Sequence, residues 1–289
     1  MGLSSLRMIA IGAALIAMSG CATLEQRTQE PILPVATSTR NVLSELPPPA
    51  RKLDVAIYGF EDLTGQFKPS EGFQTLSKAV SQGGGPVLVK ALRDTGDGSW
   101  FRVVERDNLN NLLQERRIIQ EMRQLYLGEE QVNPQALPPM LFAGVIIEGG
   151  VVGFDSNTVT GGAGAALLGL SARSEYRQDT ISVNLRTVSV KTGEVLASVV
   201  VQKSIISTAV STGAFRYIDV DKILEFEAGI TSNEPGFVAL TRTIEKAVYA
   251  IIMEMAKGNF WKFKNPKAGQ ALLKEYLKED GHKPEGQNA

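Results

Sequence analysis

Residues 158–178 read Thr158-Val-Thr-Gly-Gly-Ala-Gly-Ala-Ala-Leu-Leu-Gly-Leu-Ser-Ala-Arg-Ser-Glu-Tyr-Arg-Gln178, and the chemistry alternates along the second half. Leu168, Leu170, Ala172 and Tyr176 hold even positions, while Arg173, Glu175, Arg177 and Asp179 hold odd ones. Successive strand side chains point to opposite faces, so one face is apolar and the other charged, with Ser174 the small polar exception. Residues 208–228 repeat the plan: Leu224, Phe226 and Ala228 alternate with Glu225, Glu227 and Gly229, and upstream Val210, Thr212 and Ala214 alternate with Ser211 and Gly213. Arg216-Tyr-Ile-Asp219 is then expected at a polar, aromatic tip. Each arm is about 10 residues, the length of a tilted membrane strand. A soluble sheet with one wet face gives the same alternation. Two such hairpins in one chain favour membrane insertion, and four strands leave open edges that hydrocarbon does not tolerate. Several subunits must then share one barrel.

The glycines of 161–169 do not make a phosphate loop. Gly162-Ala-Gly164-Ala-Ala-Leu167 lacks the third small residue of a dinucleotide fingerprint, and GxxxxGK is absent from the chain.

Around these inserts the pattern is that of an α+β or α/β domain. Leu53–Phe60, Trp100–Val104, Phe142–Val152 and a hairpin, Ile181–Val190 with Val195–Ile206 around Lys191-Thr-Gly193, read as strands. Pro86 opens a helix after three glycines. Asp107 is expected to cap a second, whose Leu109, Leu112, Leu113, Ile118, Ile119 and Met122 recur at helical spacing on one face. Asn233 and Pro235 start a third, and Gly258 ends it. Leu272, Leu273, Tyr276 and Leu277 fit a last short helix before a polar tail.

The N-terminus, MGLSSLRMIAIGAALIAMSGC, places Arg7 before an apolar run from Met8 to Met18. That run is too short to span a bilayer and fits the core of a signal peptide. It closes on Met18-Ser-Gly-Cys21, which resembles a bacterial lipobox with methionine in place of the usual leucine. An ordinary signal followed by a stray cysteine is the plainer alternative. Cys21 is the chain's single cysteine, at the one position acylation requires, so residues 1–20 are expected to leave and Cys21 to carry lipid. Ala22 follows, so the aspartate that retains many lipoproteins at the inner membrane is missing. Thr23–Pro49 is polar and proline-bearing, and 21–50 reads as a lipidated tether.

Charge is balanced, 30 Lys+Arg against 31 Asp+Glu, so nothing global favours nucleic acid. The one histidine, His282, lies in the Lys/Glu/Gly-rich tail. No cofactor or metal is expected, and a histidine base for hydrolysis is missing from the body of the chain.

Long ordered strings carry a resemblance. They include Asp62-Leu-Thr-Gly-Gln-Phe-Lys-Pro69, Lys78-Ala-Val-Ser-Gln82 and Ser99-Trp-Phe-Arg-Val-Val-Glu-Arg-Asp-Asn-Leu-Asn-Asn-Leu-Leu-Gln-Glu-Arg116. Further on come Gly149-Gly-Val-Val-Gly-Phe-Asp-Ser-Asn157, Phe215-Arg-Tyr-Ile-Asp219 and Thr231-Ser-Asn-Glu-Pro235. Over nearly the whole mature chain these resemble the CsgG family, exporters of curli amyloid subunits. The resemblance implies a periplasmic α/β domain (51–157, a hairpin at 179–207, a helical region at 229–266) with a short helix and tail at 267–289. It implies membrane hairpins at 158–178 and 208–228 that close one barrel in a nonameric ring, lined by Arg173, Glu175, Arg177, Glu225 and Glu227. Implied partners are further copies of the chain, outer-membrane lipid, a periplasmic adaptor and a secreted curli-type or adhesin subunit. The family also implies a constriction loop, here Ser70–Ser77. Its usual tyrosine and Asn-Phe pair are missing; Ser70 falls at the tyrosine, and Phe73, Gln74 and Leu76 are the residues expected to narrow the pore.

Overall fold

The computed structural model describes residues 36–65, 82–160, 175–210, 214–218 and 235–279. Cys21, Ser70, Phe73, Gln74, Leu76, Arg173, Glu225 and Glu227 lie outside the described residues, as does His282.

The strongest apolar run, Leu53–Asp62, forms β1, and its alternate residues Val55 and Ile57 enter the core. β2 (Phe101–Val104) and β3 (Val145–Thr160) pair with it in parallel, one on each side. β4 (Glu175–Ser189), β5 (Val195–Val210) and β6 (Ala214–Ile218) then add antiparallel strands. The sheet order is β2-β1-β3-β4-β5-β6, a mixed sheet that makes the fold α+β. The Lys191-Thr-Gly193 turn joins β4 to β5 as expected, with Gly193 at φ +72°.

Helices α1 (Ser38–Ser44), α2 (Gly84–Asp94), α3 (Leu109–Leu127), α4 (Pro235–Lys257) and α5 (Pro266–Glu279) complete the described elements. α4 is the keystone. Leu240, Ile244, Val248, Ile251, Ile252 and Met255 are fully buried on it, beside Ile147, Val183 and Leu185 of the sheet. Burial of each such side chain contributes about 1.5–3 kcal/mol. α2 belongs to the same core through Leu88 and Leu92. Its first residue is glycine by necessity, since a Cβ on Gly84 would stand 2.2 Å from the Phe60 ring.

Two expectations need correction. The tether is shorter than 21–50, because residues 36–50 belong to the domain: Leu43 and Leu46 are buried in the core. α1 is held by Thr37 and Thr39, whose hydroxyls both donate to the buried Glu245 carboxylate, and by Arg40 on Asp94 at 2.7 Å. Burial alone raises the Asp94 carboxyl, but Lys90 and Arg40 outweigh it and hold the group below the usual carboxylate range. Asp107 does not cap α3; Asn108 precedes the helix, and its backbone N–H donates to Glu105. The apolar spacing of α3 is real, yet none of its residues is buried. Helical periodicity identifies a face without identifying what covers it.

The Trp100 ring is fully buried among Phe101, Trp261 and Phe263, and its Nε1–H donates to the Pro47 carbonyl at 2.9 Å. This contact joins the segment after α1 to β2 and to the 258–265 turn. Trp100→Ala is expected to cost about 3–5 kcal/mol. Urea unfolding checks it: a midpoint within error of wild type would show that the cluster contributes little.

Candidate functional site

The sheet is longer than the core it serves. β3, β4 and β5 contain 16, 15 and 16 residues, about three times the usual strand length. Among the residues whose side chains are described, the last buried ones toward their far ends are Phe154, Thr180 and Ile205. Beyond them Asp155, Ser156 and Asn157 are all exposed, yet β3 and β4 stay paired without a break from Phe154↔Ile181 to Thr160↔Glu175. That overhang is about 20 Å at ~3.3 Å per residue. β5 and β6 extend likewise, paired from Ile206↔Ile218 to Val210↔Ala214.

Strand register sets the faces of the overhang. Positions 175, 177 and 179 share the sheet face of Ile181, Val183 and Leu185, which α4 covers within the domain. The same face of the same strand is therefore apolar under α4 and charged at Asp179, the next position along it. A change of polarity along one face marks a change of surroundings. Of the expected lumen residues, the structure brings positions 175 and 177 together on one face, and Arg173, Glu225 and Glu227 fall outside the described residues. The chain reverses between Val210 and Ala214, and Arg216–Ile218 continue as strand β6. The expected tip at Arg216–Asp219 is corrected accordingly.

The second element is the segment 66–81, whose two ends meet. Asp62, at the end of β1, accepts from the Thr64 N–H and hydroxyl at 3.0 and 2.6 Å, and from the Gln82 side-chain amide at 3.3 Å. The expected constriction residues Ser70, Phe73, Gln74 and Leu76 thus belong to a 16-residue excursion that leaves and returns at one carboxylate. Sequence reasoning missed this clasp. Asp62 and Gln82 are separated by 20 positions, and no local pattern links them.

A cleft opens beside Gln82 at the carboxyl ends of β1 and β2. Its lining mixes Arg93, Arg102 and Arg106 with Glu61, Glu105 and Asp107. Among the described residues no three His, Cys, Asp or Glu side chains converge to hold a metal ion, and no helix is long and apolar enough to cross a membrane.

The geometry is that of a mixed-sheet α+β domain with unusually long paired strands and a 16-residue segment clasped at the end of β1. The comparisons identify its family. The model of the family described as "Curli production assembly/transport component CsgG" matches residues 36–279, so the chain belongs to the CsgG family. The curli production assembly/transport component CsgG of Salmonella typhimurium is 39% identical over 255 residues, 87% of this chain and 90% of that protein. Its counterpart in Escherichia coli K12 is 38% identical over the same shares. Among solved structures, the hypothetical protein CT253 from Chlamydia trachomatis covers 71% of this chain and 96% of its own at 10% identity and a TM-score of 0.35, too slight a likeness to argue from.

Proposed function

We propose that this chain is one subunit of an outer-membrane channel that exports unfolded curli-type amyloid or adhesin subunits from periplasm to cell surface. The observation that carries the reading is the length of the ladders: β3 and β4 stay paired from Phe154↔Ile181 to Thr160↔Glu175, about 20 Å at ~3.3 Å per residue, and β5 and β6 stay paired from Ile206↔Ile218 to Val210↔Ala214. Paired strands of that length are more than the core under α4 requires. In hydrocarbon every backbone group needs a partner, so hairpins from one subunit alone leave costly edges. A ring of subunits, nine in the family's pattern, closes them into one barrel. The charged face at 173, 175, 177, 225 and 227 lines the water, and the alternate residues face lipid.

Transport is passive. The chain carries no nucleotide-binding motif, so concentration and chain entropy set the direction, with a periplasmic adaptor at the entrance. A collar from the 66–81 segment passes an extended polypeptide and stops a folded one. The role is that of a conduit, in keeping with relatives named as assembly and transport components.

The face assignment is testable one residue at a time. Single cysteines at positions 224–228, in a chain that keeps Cys21, are treated with a water-soluble, membrane-impermeant thiol reagent. Positions 225 and 227 are expected to react and 226 and 228 to resist. Uniform reaction across the five positions means a solvated loop on a lipoprotein that never forms a pore.

A further inference from the structure

We propose that a lysine ridge at the end of the domain away from the long strand ladders docks on the peptidoglycan wall, whose free peptide carboxylates it would meet. Its placement facing the periplasm rests on the export reading above.

The ridge starts on a short ribbon. Pro49 bridges Phe263, the Ala50 N–H donates to the Lys262 carbonyl at 2.7 Å, and the Lys264 N–H donates to the Pro48 carbonyl at 2.9 Å. Trp261 and Phe263 are buried, so the alternate residues Lys262 and Lys264 turn outward, and both are exposed. α5 continues the ridge. At about 100° per residue, Lys267, Lys274 and Lys278 fall within about 40° of one another, on the side opposite the buried Tyr276. Glu275 and Glu279 stand off that line, and Glu279 is paired with Lys246 at 2.6 Å.

These lysines differ from the other cations of the domain in their partners. Arg40, Arg102, Arg123, Arg186 and Lys246 each meet a carboxylate. Among the described residues, Lys262, Lys264, Lys267, Lys274 and Lys278 meet none, although the whole chain carries a net charge of -1. Lys262, Lys264 and Lys267 also stand at or just before the start of α5, where the helix dipole disfavours cations. Their places add nothing to the stability of the domain alone, and local rules broken in this way are expected at functional surfaces.

The chemistry of the ridge selects its partner. Among the described residues of 258–279, Phe260 is the one large apolar side chain left exposed, whereas the cores of protein interfaces gather aromatic residues and are poor in lysine. No arginine follows Arg242 in the chain. Lysine is a hydrated point charge without the planar fork that grips a single anion in two places. Spaced lysines on an open surface therefore suit a hydrated polyanion. Distance rules out lipid headgroups. β1 runs parallel to β3 with Val55 opposite Val145, so residues 48–52 and the ribbon lie beyond the start of β3. From there to the expected membrane hairpin at 158 is about 40 Å at ~3.3 Å per residue, several times the ~8 Å over which charge is felt at physiological salt. At that depth the polyanion is the wall, glycan strands joined by peptides with free carboxylates. Docking there would hold the domain between its lipid anchor and the wall.

The test mixes the full lipidated chain, in mild non-ionic detergent, with purified peptidoglycan sacculi stripped of attached protein, and sediments them. Wild type is expected in the pellet at about 0.1 M salt and in the supernatant at about 1 M, where charge is screened within ~3 Å. Lys264→Gln, Lys267→Gln and Lys274→Gln together change three exposed residues, so the thermal transition should not move. Their loss is expected to weaken sacculus binding at least about tenfold, from the usual strength of lysines beside an anionic surface. Sacculi with amidated carboxylates are expected to capture neither protein. Wild type that stays in the supernatant at low salt, a variant that pellets like wild type, or capture by amidated sacculi overturns the docking. Tighter capture by phosphatidylglycerol vesicles than by sacculi overturns it too, and assigns the ridge to lipid. Single-channel conductance is read on the same wild-type preparation: its absence overturns the export reading, whereas the docking stands or falls on the pellet.

Discussion

Replacing Cys21 with serine is expected to move the protein from the membrane fraction to the soluble periplasmic fraction and to abolish incorporation of labelled palmitate. The expected effect is close to all or none. The thiol is the nucleophile that acylation needs, and Cys21 is the chain's only one. Each buried CH₂ of an acyl chain contributes about 0.8 kcal/mol of membrane affinity, so stable anchoring takes more than one chain or a second signal. The hairpins do not supply that signal before assembly, since their edges are unpaired. On the proposed reading the anchor therefore acts first, holding subunits at the membrane while rings form. Only residues 22–35 separate Cys21 from the domain, which bounds their reach at about 50 Å fully extended. Labelled palmitate on the serine variant at the wild-type level, or unchanged membrane retention, overturns the assignment.

The sheet and α4 were legible in the sequence because their signals are local. Leu53–Asp62 is apolar enough to be a buried strand, Lys191-Thr-Gly193 announces a hairpin, and Leu240, Ile244, Val248 and Ile251 mark a core face unaided. α1 was not legible. Thr37-Ser-Thr39 reads as a polar linker, and what orders it is Glu245, more than 200 positions away. A buried carboxylate among helical residues is a signal for such a partner, but it does not say which one. α3 failed in the opposite sense: its periodicity was clear, yet none of its residues is buried. The reversal between Val210 and Ala214 was not legible either, because Ala214–Ile218 alternates as strand or tip equally well. The clasp of Gln82 on Asp62 depends on tertiary geometry alone.

That clasp bears on the last expected result, which is that Phe73→Ala with Leu76→Ala widens the pore. The segment carrying both residues is fixed where it begins and ends. Phe60, at the end of β1, is buried against Gly84, the first residue of α2, and Gln82 donates to Asp62 between them. In the proposed ring, rotational symmetry would repeat this segment around the axis. Phe73 and Leu76 are the large apolar residues of Ser70–Ser77, with Gln74 between them as a polar companion and Ser70 too small to narrow anything. Apolar side chains on a polar loop gain no burial from exposure, so a role in contact with a passing chain is the economical account. Their contacts are non-directional and individually weak, which suits a surface that a polypeptide must cross without sticking. Truncation to alanine removes most of both side chains from every copy while leaving Asp62, Gln82 and the domain untouched. Rings should therefore assemble in wild-type yield, and single-channel conductance in planar bilayers should rise well above wild type. Normal rings with unchanged conductance would place the narrowest point elsewhere. A loss of rings would mean instead that Phe73 and Leu76 pack between subunits and hold the assembly together.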